Sequence, residues 1–593
     1  MKPFDILNIK RQFRYKNKGF TMKQNHGLDT ETYQGYAKLI CDDTGDYKVI
    51  SSFDDIITFL THFKFRDTFN WFFNVRFDFE ALIKYLDYAE LLCLYNDKIL
   101  EKDDYIISYI PKKFFMITDL NNHRYRFFDM YNFVDSSLNK AAELYLHDKK
   151  LDKVDASKLN TDAQYWADNI DLIIEYCIKD ANLTKRLADY FWNIVYTNMN
   201  YYPKMPYSKG RIAEEYFLGK CYIPTINDIP VKVVNYAYNS YRGGRFELLQ
   251  RGFFEKVYSY DIKSAYPAYM TKCIDFNKGK WVKTKTYTED AYAGFYECKV
   301  SAMEPYFSPL SYKINALSVY PNGDFKTYLT KLDLDFISKN FENCEFNIIS
   351  GYEFWPKELL FPLKEEIEKL YAWKERETDP VIKWAVKIFM NSLYGKTIQT
   401  AGDENNTGKL FNPMWASEIT AATRIKLLEL SLQSPDNIIM LSTDAVHSTV
   451  PLSVPSNPAL GDFAKDFQGS GVYIMSDIYN LWNEKKQKTK TRGFSVALEK
   501  DRATTDVLLK DILQSMVDTT EYKYLTRRVY HLGECLLHNK KRKLSDMNTF
   551  TNEEKTFDIN ADKKRLWNKQ FKSGADSLLS NMNSEPIFIG DKK

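Results

Sequence analysis

Polar and apolar residues alternate along Tyr258-Ser-Tyr260 as they do in a β-strand, which sets Val257, Ser259 and Asp261 on one face. The chain then turns at Tyr266 and Pro267, leaving Asp261 at the strand's end. Gly27–Thr32 has the same period, with Asp29 and Glu31 side by side on one face. Elsewhere the period is helical. A helix is predicted from Asp78, as N-cap, through Glu80 to Tyr88. Ile170, Ile173, Ile174, Cys177 and Ile178 mark another, on which Tyr176 and Asp180 share a face at i, i+4. Lys357 through Arg376 reads as an amphipathic helix that stops at Thr378, and Asp379-Pro380 restarts it as N-cap and N1. The second arm of this hairpin carries Lys387, Asn391 and Tyr394 as one stripe and ends at Gly395, read as a C-cap. A further helix is expected from Met414 to Leu432, followed by an apolar strand, turn and strand over Asn437–His447.

With 593 residues the chain exceeds a single core, so several domains are expected. The net charge of +3 rules out a global field for polyanions, leaving local patches. Eight Cys are scattered without a CxxC pair, and the seven His do not join them, so neither structural zinc nor a disulfide framework is expected. No apolar run reaches membrane-span length, and the basic N-terminus lacks a signal-peptide core.

Adjacent carboxylates such as Asp29 and Glu31 are costly to bury unless a cation neutralises them. A solvent-facing acidic edge is the rival explanation for that pair, and helix capping is the rival for Asp78. For Asp261 it is a turn cap, and for Gly243-Gly244 a plain turn. The basic run Lys485–Gly493 is in the same way either a solvated face or a nucleic-acid contact.

Taken in order, these segments resemble the motifs of family B DNA polymerases. Asp29 with Glu31, Asn74-Val-Arg-Phe-Asp78 and Tyr176-Cys-Ile-Lys-Asp180 resemble the three motifs of the proofreading exonuclease. The resemblance implies Asp29, Glu31, Asp78 and Asp180 around two metals, Tyr176 orienting water, and Asn74 and Phe77 at the frayed primer end. Ser137 and Leu138 resemble a single-strand-binding motif of the protein-primed branch, and Lys153 is assigned as that branch's catalytic-site lysine. Tyr241-Arg-Gly-Gly244 resembles the YxGG element on the template strand, with Arg242 and Arg245 supplying charge. Asp261-Ile-Lys-Ser-Ala-Tyr-Pro267 resembles motif A with Ala265 in place of Leu. It implies Asp261 and the Ile262 carbonyl as metal ligands and Tyr266 as a filter under the sugar. Lys387-Ile-Phe-Met-Asn-Ser-Leu-Tyr-Gly395 matches motif B, KxxxNSxYG, at every fixed position. Lys387, Asn391, Tyr394 and Lys374 are thereby nucleotide-binding candidates. Asn437–His447 aligns with motif C, but Ser442 replaces its first aspartate, and only the second, Asp444, remains. Lys490 and Arg492 fall where the family holds the primer terminus.

The expected fold is α+β and multidomain: an RNase H-like exonuclease domain over 1–200 and a right-hand polymerase. The latter divides into linker and start of palm (201–260, with the connection at 196–212), palm with a terminal-protein-region insertion (261–356), fingers (357–395), palm (396–495) and thumb (496–593). Clusters at Lys540–Lys543 and Lys563–Arg565 suit a thumb on duplex phosphates. The resemblance implies two Mg2+ or Mn2+ ions per active site, DNA template and primer, deoxynucleoside triphosphates and a terminal protein as partners. It also implies a monomer in a host cytoplasm, neither secreted nor membrane-bound. Only 396–412 is free for the second insertion, which predicts reduced processivity or strand displacement. Three functions compete: a protein-primed replicative polymerase with proofreading, a primer-independent polymerase of the same fold, and a nuclease or binding protein whose polymerase site has decayed at Ser442.

Overall fold

The computed structural model describes residues 9, 11–14, 22–134, 136–152, 154–314, 317–401, 406–491, 521–537, 542–567 and 581–590. Near the N-terminus an eight-stranded sheet runs β1 (Asn25–Tyr33), β2 (Tyr36–Asp42), β3 (Tyr47–Val49), β4 (Phe69–Phe72), β5 (Ile99–Lys102), β6 (Tyr105–Ile110), β7 (Phe114–Asp119) and β8 (Arg124–Asp129). Its spatial order is β3-β2-β1-β4-β8-β7-β6-β5. The β1–β4 and β4–β8 pairs are parallel, so the chain must cross over between them. Helix α1 (Val75–Ile83) lies in the second crossover, from β4 to β8. Phe69, Trp71 and Phe72 are fully buried in its cores, and Phe73 is half-buried.

Helix α2 (Leu138–Leu146) precedes the long helix α3 (Ala163–Met199), which is kinked at Asn169 and lies against β1. Since α3 continues to Met199 and α4 (Lys209–Lys220) begins ten residues later, the connection is narrower than the 196–212 expected.

The central sheet is built on β9 (Phe246–Leu248) and β10 (Gln250–Ile262). A separate layer comprises β11 (Gly279–Thr284), β12 (Ala293–Ala302), β13 (Asn322–Thr330) and β14 (Cys344–Pro356). Helices α5 (Lys364–Arg376) and α6 (Pro380–Ser392) form the hairpin, and α7 (Pro413–Ser431) precedes β15 (Ile438–Ser442) and β16 (Ala445–Ser448). β17 (Phe463–Met475), β18 (Ile478–Trp482) and β19 (Gln487–Thr491) complete the central sheet in the order β19-β18-β17-β10-β16-β15-β9. Asp379 caps α6 as expected, accepting from Val381 N at 2.7 Å. The first arm begins at Lys364 instead of Lys357, because β14 persists to Pro356 and Pro362 interrupts the segment between. Gly395 is not a left-handed cap. It lies inside a 3-10 turn, Tyr394–Lys396, after helix end Leu393.

The C-terminal region departs most from expectation. β20 (Glu521–Val529) and β21 (Phe550–Asp558) pair as a two-stranded ribbon. Its tip joins the N-terminal domain around the eight-stranded sheet: Leu532, Cys535, Leu536 and Met547 belong to that domain's apolar core. Lys84 Nζ there donates to the carbonyls of Ser545 at 2.9 Å and Met547 at 2.6 Å. β22 (Arg565–Trp567) and β23 (Met582–Pro586) return to β10, and β24 (Phe588–Ile589) pairs with β13. The described part of 496–593 is therefore spread over three units. Of its basic clusters, Arg565 is 4% exposed and Arg542 pairs with Glu534 and Glu553, whereas Lys543 and Lys563 are exposed and Lys540 and Lys541 lie outside the described residues. At the other end Gln12, expected within the first domain, donates to Phe411 O at 2.7 Å, just before α7. All eight cysteines are free, and no helix among the described residues is long and apolar enough to cross a membrane.

Candidate functional site

Two carboxylate clusters stand out. In the first, β1 presents Asp29 and Glu31 to α3. Gly27 permits the approach, because a Cβ there would lie 1.9 Å from the Ala181 carbonyl oxygen. That close contact brings Tyr176, Cys177 and Asp180 over the strand. Asp78 enters from α1; it lies within the helix's first turn and is not the cap, a position taken by Asn74 in the left-handed region at φ 73°. Asp78 accepts from Thr30 Oγ1 at 2.7 Å. Ligand atoms of Asp29, Glu31 and Cys177 lie within 4.8 Å of one another. Burial, followed by the charges of Asp180, Glu31 and Asp78, holds the Asp29 carboxyl well above its usual range. Burial and then Asp180 push Glu31 up to about 8. Asp78 is lifted to about 7, mainly by burial. The Cys177 thiol is itself pushed up by burial and remains S–H, so the oxygens are the stronger ligands.

Lys150 completes this cluster. Its Nζ pairs with Asp180 and lies 4.8 Å from the centre of the Tyr176 ring. Lys153, the lysine expected here, lies outside the described residues. Sequence reasoning misses Lys150 because its loop has no period and Lys149, Lys150 and Lys153 look alike. Asn74 is exposed, with its N–H donating to Asp129 Oδ1 at 2.8 Å. Phe77 is half-buried, its ring 6.0 Å from that of Phe550. Ser137 Oγ caps α2 at Lys140 N and is exposed, while Leu138 is buried in the core, so only Ser137 is open to a strand end.

In the second cluster, Asp261 at the end of β10 pairs in register with Ala445, which sets it beside the Thr443–Asp444 turn between β15 and β16. Ile262 N donates to the Asp444 carbonyl at 2.8 Å, tying the two segments together. The Asp261 side chain opens to the cleft. Burial of its surroundings, then Asp444 and Asp466, lift it to about 7. Asp444 is raised mainly by burial and opposed by Lys490, Lys387 and Lys488. Asp466 and Lys488, which pair at 2.8 Å, were not singled out in the sequence because strand β19 masks their meeting. Lys387 and Asn391 are exposed along α6. Lys374 Nζ donates to Ser264 Oγ at 3.0 Å, and burial lowers its pKa. The rings of Tyr266 and Tyr394 lie 4.3 Å apart and tilted by 30°, and Tyr394 shares a 2.7 Å hydrogen bond with Tyr241. Lys490 is exposed on the edge strand β19; Arg492 lies outside the described residues.

Arg242 and Arg245 are not free for phosphates. Arg242 is 5% exposed and donates to the Asn239 and Tyr241 carbonyls. Arg245 is fully buried, donating to Glu247 Oε2 at 2.7 Å with its guanidinium 4.0 Å from the Tyr320 ring. Gly243 has open space around its Cα, whereas Gly244 does not.

Divalent cations suit both clusters. Like charges converge in each, and buried Asp180 Oδ1 has no hydrogen-bond partner. The raised pKa values fix a sign. A carboxyl raised in the fold binds more protons than in the unfolded chain, so stability falls as pH rises from the unfolded range near 4.5 through about 8 for Glu31. Metal-free protein is therefore expected to melt lower at pH 8 than at pH 6, by roughly 3 °C or more, and millimolar Mg2+ or Mn2+ to recover the difference. Calorimetry with and without chelator checks this; a melting point that rises with pH in chelator would refute it.

A family described as DNA polymerase type B, organellar and viral, matches residues 157–405. The DNA polymerase of Acidianus bottle-shaped virus (isolate Italy/Pozzuoli) is 27% identical over 278 residues, 43% of this chain and 40% of the relative. That of Bacillus phage Nf is 26% identical over 251 residues, 35% of this chain and 42% of the relative. The chain thus spans about two fifths of the length of the curated relatives it matches. The solved structure of Phi29 DNA polymerase with primer-template DNA and incoming nucleotide superposes with a TM-score of 0.65 at 15% identity, covering 91% of this chain and all of that one. Over residues 157–405 the chain is similar to the DNA polymerases of type B from organelles and viruses. The matched segment holds Asp180, Asp261, Lys374 and the whole α6 stripe, while Asp29, Glu31, Asp78 and Asp444 lie outside it.

Proposed function

We propose that the protein is a template-directed DNA polymerase with a 3′-5′ exonuclease, and that it replicates a phage or linear-element genome from a protein primer. The observation that carries the polymerase reading is the joining of Asp261, at the end of β10, to the turn that holds Asp444, with Lys387 of α6 close enough to oppose both charges.

Asp261 and Asp444, with the Ile262 carbonyl, would hold two divalent ions at this site, and Asp29, Glu31, Asp78 and Asp180 two at the other. Such ions neutralise charge on the transferring phosphoryl group and acidify the attacking hydroxyl or water. Lys387 and Lys374 serve as point charges for a triphosphate. Asn391 lies one turn beyond Lys387 on the same helix face. The adjoining rings of Tyr266 and Tyr394 form an aromatic wall against which a deoxyribose and base pair rest. Tyr241, Gly243 and Lys490 line the approach of template and primer, whereas Gly244 packs against Thr443. At the exonuclease site Tyr176 orients the attacking water, and Lys150 holds the ring and Asp180 in place. Asn74, Phe77 and Ser137 receive the single-stranded end.

Protein priming rests on the five-stranded layer β11-β14-β12-β13-β24, the counterpart of the terminal-protein insertion. The second insertion is reduced to Thr400–Ala401 paired with Asn406–Thr407, in keeping with weak strand displacement. The test is nucleotide incorporation on a single-stranded template with no primer, with a DNA primer, and with a hydroxyl-bearing terminal protein. Extension from DNA primer and protein but not without either supports the proposal. Products without any primer favour the primer-independent alternative, and none in any arm sinks the polymerase reading.

A further inference from the structure

The turn that carries Asp444 is held in an unusual conformation. Thr443, a β-branched residue, sits at φ 56°, where such side chains are rarely found. Conformations of this kind persist only where the surroundings over-determine them. Two backbone bonds bracket the turn: Thr443 N donates to the Arg245 carbonyl at 2.7 Å, and the Asp444 carbonyl accepts from Ile262 N at 2.8 Å. The second bond joins the two proposed metal-binding segments. The first belongs to neither.

Arg245 is itself immobilised. Its Nε donates to Glu247 Oε2 at 2.7 Å, and Glu247 also pairs with Arg565 at 3.3 Å. Arg565 in turn donates to Ser584 Oγ at 2.8 Å on the C-terminal strand β23. These three charged side chains are at most 4% exposed, and the tie passes through β9, which pairs with the strand ending at Ser442. Beside it, Gly244 is packed against the turn: a Cβ there would lie 2.7 Å from Thr443 Cγ2 and 3.1 Å from the Tyr266 hydroxyl. The second glycine of the pair therefore approaches protein at this place.

We propose that Gly244, Arg245 and Glu247, locked by Arg565, are positioning residues that set the Asp444 carboxylate against Asp261 through the strained Thr443. The inference rests on the polymerase reading of the Asp261–Asp444 cluster. It makes the C-terminal segment part of the polymerase site at a distance, although no residue of β23 reaches the reacting atoms. It also gives Ser442 a context: with one carboxylate fewer, the placing of Asp444 has less redundancy.

The experiment is a compensation series, Gly244→Ala, Thr443→Gly and the pair, with Glu247→Gln alongside. Single-nucleotide incorporation, exonuclease activity on a single-stranded oligonucleotide, and Mn2+ binding by electron paramagnetic resonance are measured on each full-length protein. Gly244→Ala is expected to lower the incorporation rate at least tenfold, with nucleotide KM changed less than threefold and exonuclease activity unchanged. Thr443→Gly removes the colliding methyl and tolerates positive φ, so the double variant is expected to recover most of the loss. Glu247→Gln is expected to weaken Mn2+ binding at the polymerase site several-fold while leaving binding at the exonuclease cluster unaltered. Loss through KM alone, or a double variant no faster than Gly244→Ala, would overturn the lock and point to Gly244 as a plain DNA contact. Should Gly244→Ala fail to fold, Glu247→Gln decides: unaltered Mn2+ binding and incorporation refute the proposal. If wild type incorporates no nucleotide while the metal result stands, the polymerase reading fails and the positioning inference survives as a statement about the metal site alone.

Discussion

Asp444→Ala is expected to lower primer extension by roughly a thousandfold or more, the equivalent of several kcal/mol of lost transition-state charge stabilisation. The site has little reserve. Of the residues facing Asp261, the strand before Asp444 ends in Ser442, and the third nearby carboxylate, Asp466, is already paired with Lys488 at 2.8 Å. Removing Asp444 leaves Asp261 alone against Lys387, Lys488 and Lys490, whose charges then repel an incoming cation. Asp261→Ala is expected to be equally damaging, while both variants should keep wild-type exonuclease activity on single-stranded DNA. This separates two of the competing functions: a nuclease with a decayed polymerase site would extend no primer in wild type, and Asp444→Ala would change nothing. Extension by the variant within tenfold of wild type would remove Asp444 from the chemistry.

Asp29→Ala is expected to abolish 3′-5′ degradation, again by roughly a thousandfold, with extension of a correctly paired primer unaffected. Asp29 interacts with Asp180, Glu31, Asp78 and Lys150 at once, so its removal dismantles the cluster's shared charge. Lys150→Ala is expected to cost less, about ten- to a hundredfold, because it leaves every ligand in place but frees Asp180 and Tyr176. Radiolabelled single-stranded oligonucleotide digestion measures both. Equal losses in the two variants would mean that Lys150 is itself part of the reaction.

Much of this was legible beforehand because it depends on local period. The two-residue spacing of Asp29 and Glu31 on a strand, the i, i+4 pair Tyr176 and Asp180, the Asp379-Pro380 cap and the Lys387 stripe are each set by neighbours a few residues away. Boundaries were less legible. The helix at Lys364 starts late because a strand running to Pro356 competes for the same residues, and that strand exists only through its partners β11 and β12. Asp78 was read as a cap because an acidic residue at a helix start satisfies free amides equally well from either side of the boundary.

What only the tertiary structure decided lies far apart in the chain. Arg242 and Arg245 look like phosphate ligands in a Gly-Gly turn, yet burial beside Thr327 and Glu247 turns them inward. Arg565 and Met547 belong to segments whose composition suggests a grip on DNA, but they complete the cores of two other domains. Lys150 carries no signal until α3 packs on β1. The sequence by itself determined which carboxylates share a face and which helix carries the basic stripe, because side-chain direction repeats with the backbone. It did not determine which charges are spent internally. That depends on desolvation, and a charge is desolvated only when distant strands and helices close over it.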